Sequence, residues 1–385
     1  MLRPYLDTIM NLEQIPTPAA VLDVSRMLRN IDRMQQRMDA LGVKFRPHVK
    51  TSKSWPVVQA QLDAGAQGIT VSTLKEAEQF FAAGVVDILY AVSMAASKLP
   101  QALALRRKGC ALKLLTENTE SAHAIARFGR EHDEVFEVLI EIDTDGHRSG
   151  VKPDSELLLQ VAAALEAGGA RVAGVMTHAG ASYDLDTPEA LRAMAEQERR
   201  ECVRAARRLR AAGYDCPCVS VGSTPTALSA QSLEEVTEVR AGVYAFFDLV
   251  MSNTGVCALS DIALSVLTTV IGHQAEKGWT IVDAGWMAMS RDRGTQGKKI
   301  DYGYGQVCAL DGTPVHDYIM ISANQEHGIV SHRGQAGHDA ATRFPVGTLL
   351  RILPNHACAT AAQFPEYHAL SAGGDLMAWP RFYGW

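Results

Sequence analysis

The feature that most constrains this chain is an alternation. Short β-rich runs and longer helical patterns succeed one another through its first two-thirds. The predicted strands are 20–24, 44–50, 68–72, 88–92, 112–115, 136–143, 172–178 and 218–222, and the predicted helices between them include 25–41, 74–83, 117–128, 155–167 and 188–212. Eight strands alternating with helices predict a parallel βα array, and eight is the number that closes a barrel. An open doubly wound sheet is the alternative on pattern alone. After residue 258 the texture changes. Segments 262–271, 280–282, 318–321 and 348–353 read as strands separated by Gly, Asp and Pro turns, with no long helices between them. The expectation is an α/β protein: a (β/α)8 barrel over residues 19–258, then a mostly β domain over 259–385, with residues 1–18 packed against the latter.

Composition narrows the function classes. At 385 residues, 47% hydrophobic and 21% charged, the chain has ample material for a core, which excludes disorder, collagen and coiled coil. Its net charge is −6 and its 37 basic residues are dispersed, so nothing favours nucleic acid. The longest apolar runs, such as 262–271, are about half of what a bilayer-spanning helix requires, so no membrane partner is expected. Asp7 and Glu13 interrupt any signal-peptide pattern, and seven scattered cysteines read as reduced thiols rather than a disulfide framework. A cytoplasmic enzyme acting on a small molecule is the expectation.

In a βα barrel, chemistry gathers at the carboxyl ends of the strands. Here those ends offer Lys50, Ser72, Asp143 with Arg148 beyond it, Thr177 with His178, and the run Gly222, Ser223, Thr224. In 45–50, Phe45, Pro47 and Val49 alternate with Arg46, His48 and Lys50, which puts three polar groups on one strand face. A lysine desolvated at a barrel mouth has its pKa lowered enough to form a Schiff base, whereas a lysine in a solvated loop does nothing; Lys53 is the second candidate. A Gly-Ser-Thr run after a strand suits a phosphate and is also a common turn. A Schiff-base lysine and a phosphate cradle in one barrel suggest pyridoxal phosphate. His356 and Cys358 lie two residues apart, so in an extended segment both point the same way toward one metal ion; the plain alternative is a buried cysteine beside a surface histidine. Two protein ligands leave positions open for water or substrate, the mark of a catalytic site. Cys216 and Cys218 flank a proline without nearby histidines and read as strand-entry residues.

The segments 47–51 (PHVKT), 72–80 (STLKEAEQF), 141–150 (EIDTDGHRSG), 221–225 (VGSTP), 241–244 (AGVY), 283–285 (DAG), 326–328 (EHG) and 356–358 (HAC) together resemble the metal-assisted, fold-type III pyridoxal phosphate enzymes. That family contains D-serine dehydratase, D-threo-3-hydroxyaspartate dehydratase and D-threonine aldolase. The resemblance covers essentially the whole chain and implies an alanine-racemase-like barrel, a β domain and a homodimer. It implies Lys50 as the Schiff-base lysine and its proton-transfer base, with Arg148 near the ring oxygen of the cofactor. Gly222, Ser223, Thr224 and Tyr244 would hold the phosphate, and Thr177 would stand near the pyridine nitrogen, where relatives often carry Tyr. His356 and Cys358 would bind a divalent metal, zinc first, with manganese, cobalt or magnesium as alternatives; the aldolases carry His-x-Asp there. The implied reaction is dehydration of a D-3-hydroxy amino acid, D-threo-3-hydroxyaspartate to oxaloacetate and ammonia ahead of D-serine to pyruvate and ammonia. Retro-aldol cleavage to glycine and an aldehyde is the competing activity, and a non-catalytic cofactor carrier is a second alternative.

Overall fold

The computed structural model describes residues 11–334 and 340–385, so most of the segment 1–18 expected to pack with the β domain lies outside the described residues. The chain forms two compact units: Ile31–Tyr244 with Phe382–Trp385, and the residues up to Asn30 with Ala245–Arg381. The expected break at 258/259 therefore gives way to one at 244/245. Hydrogen bonds explain the shift. Asn30 donates its side-chain amide to the carbonyls of Ala245 and Asp261, and the Ala263 N–H donates to Phe246 O, so 245–263 is bonded within the β unit. At the other end, Phe382 donates its N–H to Lys53 O at 2.7 Å and packs its ring edge-on against Phe80, which ties the terminus to the barrel unit.

One predicted strand changes place. The first, β1 (Ala19–Asp23), pairs antiparallel with β10 (Leu264–Gln274) and parallel with β16 (Glu366–Leu370), so it belongs to the β unit. The barrel recovers its eighth strand from a two-residue segment that the pattern did not mark. Its strands are β2 (Lys44–Phe45), β3 (Ile69–Val71), β4 (Asp87–Ser93), β5 (Ala111–Thr116), β6 (Phe136–Glu141), β7 (Ala170–Met176), β8 (Cys218–Val221) and β9 (Glu238–Val239). All eight run parallel in the order β2-β9-β8-β7-β6-β5-β4-β3, and a parallel bridge between His48 and Thr70 joins the two ends. The strands are near-continuously apolar, as a sheet covered on both faces requires, and Leu89, Leu115, Leu139, Ala173 and Met176 pack together in the barrel core. Side-chain caps start its helices: Thr73 accepts from Glu76 N, Asn118 from Ser121 N, and Thr187 from Ala190 N ahead of Pro188. Near the strand starts an ionic chain, partly exposed at Asp87 and buried at Arg46 and Glu238, runs from Lys113 to Asp87 (2.7 Å), Asp87 to Arg46 (2.8 Å) and Arg46 to Glu238 (2.9 Å). Arg46 is committed there, at the face of a barrel that serves stability.

The β unit adds β11 (Trp279–Val282), β12 (Gly305–Cys308), β13 (Pro314–Ala323), β14 (Gly328–His332), β15 (Leu349–Pro354) and β17 (Leu376–Pro380). Strand β10 pairs with both β11 and β15, so six strands close on themselves, and β1, β16 and β17 extend the sheet from β10. Among the described residues no helix is long and apolar enough to cross a membrane.

Candidate active site

In the barrel unit the predicted strand 44–50 is shorter than its pattern: the ladder covers Lys44 and Phe45, His48 makes the closing bridge, and Lys50 sits in the turn that follows. Val49 N donates to Thr70 O (2.9 Å), and Lys53 N and the Ser52 hydroxyl both reach Val49 O, which fixes the backbone on either side of Lys50. The two candidate lysines separate cleanly. Lys53 Nζ is 3.0 Å from the buried Glu76 carboxylate, whereas the exposed Lys50 has no ion pair among the described residues.

Two imidazoles report the field around Lys50. Burial, then the charges of Lys50, Arg148 and Arg240, push His178 down to about 3; burial, then Lys50 and Arg240, hold His48 well below the ordinary histidine value. Both rings are therefore neutral at pH 7. His178 Nδ1 faces Gly222 O at 3.1 Å and must carry the proton, because a carbonyl only accepts. His48 Nε2 lies 3.5 Å from the Ser72 hydroxyl, and its buried Nδ1 has no partner among the described residues. Arg148 donates to the buried Glu141 carboxylate at 3.3 Å. The loop that carries it is pinned by Asp143, which accepts from Gly146 N (2.6 Å), and by a hydroxyl contact between Thr144 and Thr177 (2.9 Å). Thr177 is fully buried, its hydroxyl engaged with Thr144 and its carbonyl accepting from Arg240.

Gly222 has φ +133°, and a Cβ there would stand 2.2 Å from Arg240 O, so only glycine lets the β8 end run this close to the segment after β9. Ser223 caps the short helix Thr224–Ser229; its hydroxyl meets those of Ser182 (2.8 Å) and Thr226 (3.0 Å). The Thr224 hydroxyl accepts the Tyr244 N–H (3.2 Å), which stitches the Gly222–Ser223–Thr224 run to Tyr244. Tyr244 is buried, with its ring edge-on to Phe45 and its hydroxyl accepting from Gln61 (2.8 Å); burial keeps the phenol protonated. Arg240, buried beneath this set, was not anticipated. Its signal was available: one cation in the otherwise apolar run 239–247 that follows β9.

In the β unit, His356 and Cys358 do come together, but not on an extended segment. His356 is the extended residue after β15, and Cys358 lies in the first turn of the helix Ala357–Ala361. The turn is held by Asp248, which accepts the Ala357 N–H (2.9 Å), and by Thr360, which donates to Met289 O (2.8 Å). Both side chains are half-buried. His356 Nδ1 stands 2.6 Å from Asp292 Oδ2. Burial alone would lower its pKa, yet Asp292, the Cys358 sulfur and Asp248 carry it up to about 11. The surroundings thus favour a positive charge at this spot. Among the described residues no cluster of three or more His, Cys, Asp or Glu side chains has metal-binding geometry, so the candidate rests on two side chains. Of the neighbouring arginines, Arg293 pairs with Asp301 (3.2 Å), and Arg291 lies over the Trp286 ring at 5.0 Å.

Comparison with known proteins covers both units. Residues 22–250 match the family described as alanine racemase, N-terminal domain, and residues 263–370 match the putative serine dehydratase domain. The chain is 67% identical over 98% of its length to the whole of a D-threo-3-hydroxyaspartate dehydratase from Delftia sp. (strain HT23). It is 30% identical over 95% of its length to 96% of a D-serine dehydratase from Dictyostelium discoideum. Two solved structures of D-threo-3-hydroxyaspartate dehydratase variants, each 67% identical, superpose with TM-scores of 0.97. One, a histidine-to-alanine variant, is matched over 98% of this chain and 97% of its own; the other, a cysteine-to-alanine variant in the metal-free form, over 98% and 100%. The two replaced residues lie two positions apart in that protein, the spacing of His356 and Cys358 here.

Proposed function

Because this chain belongs to the family that joins an alanine racemase N-terminal domain to a serine dehydratase domain, we propose that it is a pyridoxal phosphate- and divalent-metal-dependent dehydratase of D-3-hydroxy amino acids. D-threo-3-hydroxyaspartate is its preferred substrate, giving oxaloacetate and ammonia, and D-serine a poorer one, giving pyruvate and ammonia. The observation that carries the substrate class is the 67% identity to a D-threo-3-hydroxyaspartate dehydratase over nearly the full chain.

The residues fit both groups. The barrel set presents, among the described residues, an amine at Lys50 without an ion pair, two histidines kept neutral by burial and by three cations, and buried polar atoms without partners at His48 Nδ1 and Gln61 Oε1. An anionic aldehyde cofactor suits that surface. The β-unit pair offers an imidazole and a thiol in contact at a spot that already attracts positive charge, a donor set suited to zinc. When bound, pyridoxal phosphate would take up the charge left at Cα, and the cation would stabilise the departing β-oxygen, which otherwise leaves as hydroxide with a conjugate-acid pKa of about 15.7.

The chain's own contributions follow from position. Lys50 Nζ holds the cofactor and takes the Cα proton. Neutral His48 and His178 do not compete with Lys50 for that proton at neutral pH. Arg148, anchored on Glu141, presents a fixed cation to the cofactor's ring oxygen. Tyr244 and the 222–224 run form one hydrogen-bonded cradle for the phosphate, and Thr177 stands on the pyridine side. His356 and Cys358 hold the metal, and the homodimer implied by the resemblance completes this reading.

The test is a panel of D- and L-3-hydroxy amino acids with products identified. Oxo acid and ammonia in equal amounts from the D-substrates, abolished by a chelator and restored by zinc, is the expected result. Glycine and aldehyde as the products would replace the dehydratase reading with an aldolase one, and equal specificity constants for D-serine and D-threo-3-hydroxyaspartate would remove the stated preference.

A further inference from the structure

The segment 290–294 is more constrained than a surface loop needs to be. Ser290 sits at φ +70° and ψ 166°, a conformation strained for a non-glycine residue that persists only where its surroundings over-determine it. Those surroundings are visible. The Ser290 hydroxyl accepts the Asp292 N–H at 3.2 Å, and the Asn355 side chain donates to Asp292 O at 3.2 Å and to Gly303 O at 2.7 Å. The Asn355 oxygen in turn accepts from the Thr295 hydroxyl at 2.8 Å. Two of these contacts hold the N–H and the carbonyl of Asp292, the other two hold the Asn355 side chain that makes one of them, and Asn355 is the residue immediately before His356. The carboxylate so fixed lies 2.6 Å from His356 Nδ1.

That contact decides which imidazole nitrogen is available. An ionised carboxylate only accepts, so the proton between them belongs to Nδ1, and Nε2, on giving up its own proton to solvent, is the nitrogen able to offer a lone pair to a cation. The carboxylate also stops the ring from turning about χ2 and makes it a more electron-rich donor, the effect that partners behind a ligating histidine produce at known metal sites.

We propose that Asp292 is the positioning residue of the metal site: through its contact with His356 Nδ1 it orients the ring so that Nε2 faces the cation, and it sets the affinity for zinc. The proposal rests on the reading of His356 and Cys358 as the ligands, and the experiment separates the two. Zinc affinity is measured by competition with a chromophoric chelator on the metal-free, cofactor-loaded protein and on Asp292→Asn, Asp292→Ala, His356→Ala and Cys358→Ala. The visible absorbance of the cofactor serves as the check that each protein is folded. Asp292→Asn, which keeps the shape and an acceptor but not the charge, is expected to bind zinc about 10-fold more weakly, and Asp292→Ala up to about 100-fold more weakly, with cofactor absorbance unchanged. Wild-type zinc affinity in both Asp292 variants, alongside weakened binding in His356→Ala and Cys358→Ala, overturns the positioning role alone. Undiminished zinc binding in His356→Ala and Cys358→Ala overturns the metal site itself. If Asp292→Ala loses its cofactor absorbance, Asp292→Asn decides the matter.

Discussion

Two lysines three positions apart show how much a single partner settles. Lys53 Nζ lies 3.0 Å from Glu76, a carboxylate that is 1% exposed, so removing the amine strands a buried charge. Lys53→Ala is expected to lose about 1–3 kcal/mol in denaturant unfolding while keeping the cofactor's visible band. Lys50→Ala should do the reverse, losing the band and all turnover with little change in stability; the opposite pairing of outcomes would move the cofactor assignment to Lys53. The neutral histidines carry a pH signature. His178 titrates near 3 when folded, against an ordinary value of 6.5, so below pH 6.5 the unfolded chain binds more protons than the native one. Stability attributable to His178 is therefore complete above pH 6.5 and declines as pH falls toward 3, and His48, also held low, adds a change of the same sign. Between pH 6.5 and 5 the melting temperature should drop, and His178→Asn, which keeps a donor toward Gly222 O, should drop less. An unchanged slope in that variant would show that His178 does not carry the effect.

At the scale of elements, periodicity made the βα order and the change of texture near residue 260 legible, because a buried parallel strand and an amphipathic helix leave different spacings. Length was its weakness. Glu238–Val239 is too short to leave any pattern, and its place in the barrel depends on neighbours it meets only after folding. Ala19–Asp23 has the apolar run of a barrel strand, and nothing within it says which sheet it joins; only its pairing with 264–267 and 368–370 does. The site shows the same division. Lys50, Arg148, the 222–224 run and the His-x-Cys pair could be found from residue type and motif. The extended geometry expected for His356 and Cys358 was wrong, because Asp248 and the Met289 carbonyl, both remote in sequence, hold that segment in a helical turn. Asp292 was not legible for the same reason: its partner, His356, lies 64 residues away.

The barrel as a whole is unevenly closed. Strands β5 and β6 share a continuous ladder and β6 and β7 a long one with a single irregularity at Val138–Leu139, whereas the segments of β2 and β3 are joined by the bridge between His48 and Thr70, two residues before Lys50, and by the Gln67 N–H on Phe45 O. Local opening should begin at that seam. In hydrogen exchange, the Val49, Gln67 and Thr70 amides, which donate across the seam, are expected to exchange before those of β5 and β6 and to slow when the cofactor is bound; equal protection of seam and ladder would show the ring to be uniform. The sheet of the β unit has a different kind of unevenness, and it bears on synthesis. Val21 lies between Ser265 and His368, so a strand made before the barrel has both of its neighbours made after the barrel. At about 5–20 residues per second, roughly 350 residues separate the first event from the last, a wait on the order of 20–70 s. During that time the barrel residues 31–244 are made in one uninterrupted stretch and are free to fold, while an apolar strand, Ala-Ala-Val-Leu, trails from the nascent chain with both edges open. Chaperone dependence in this protein should therefore trace to its first strand rather than to its catalytic barrel.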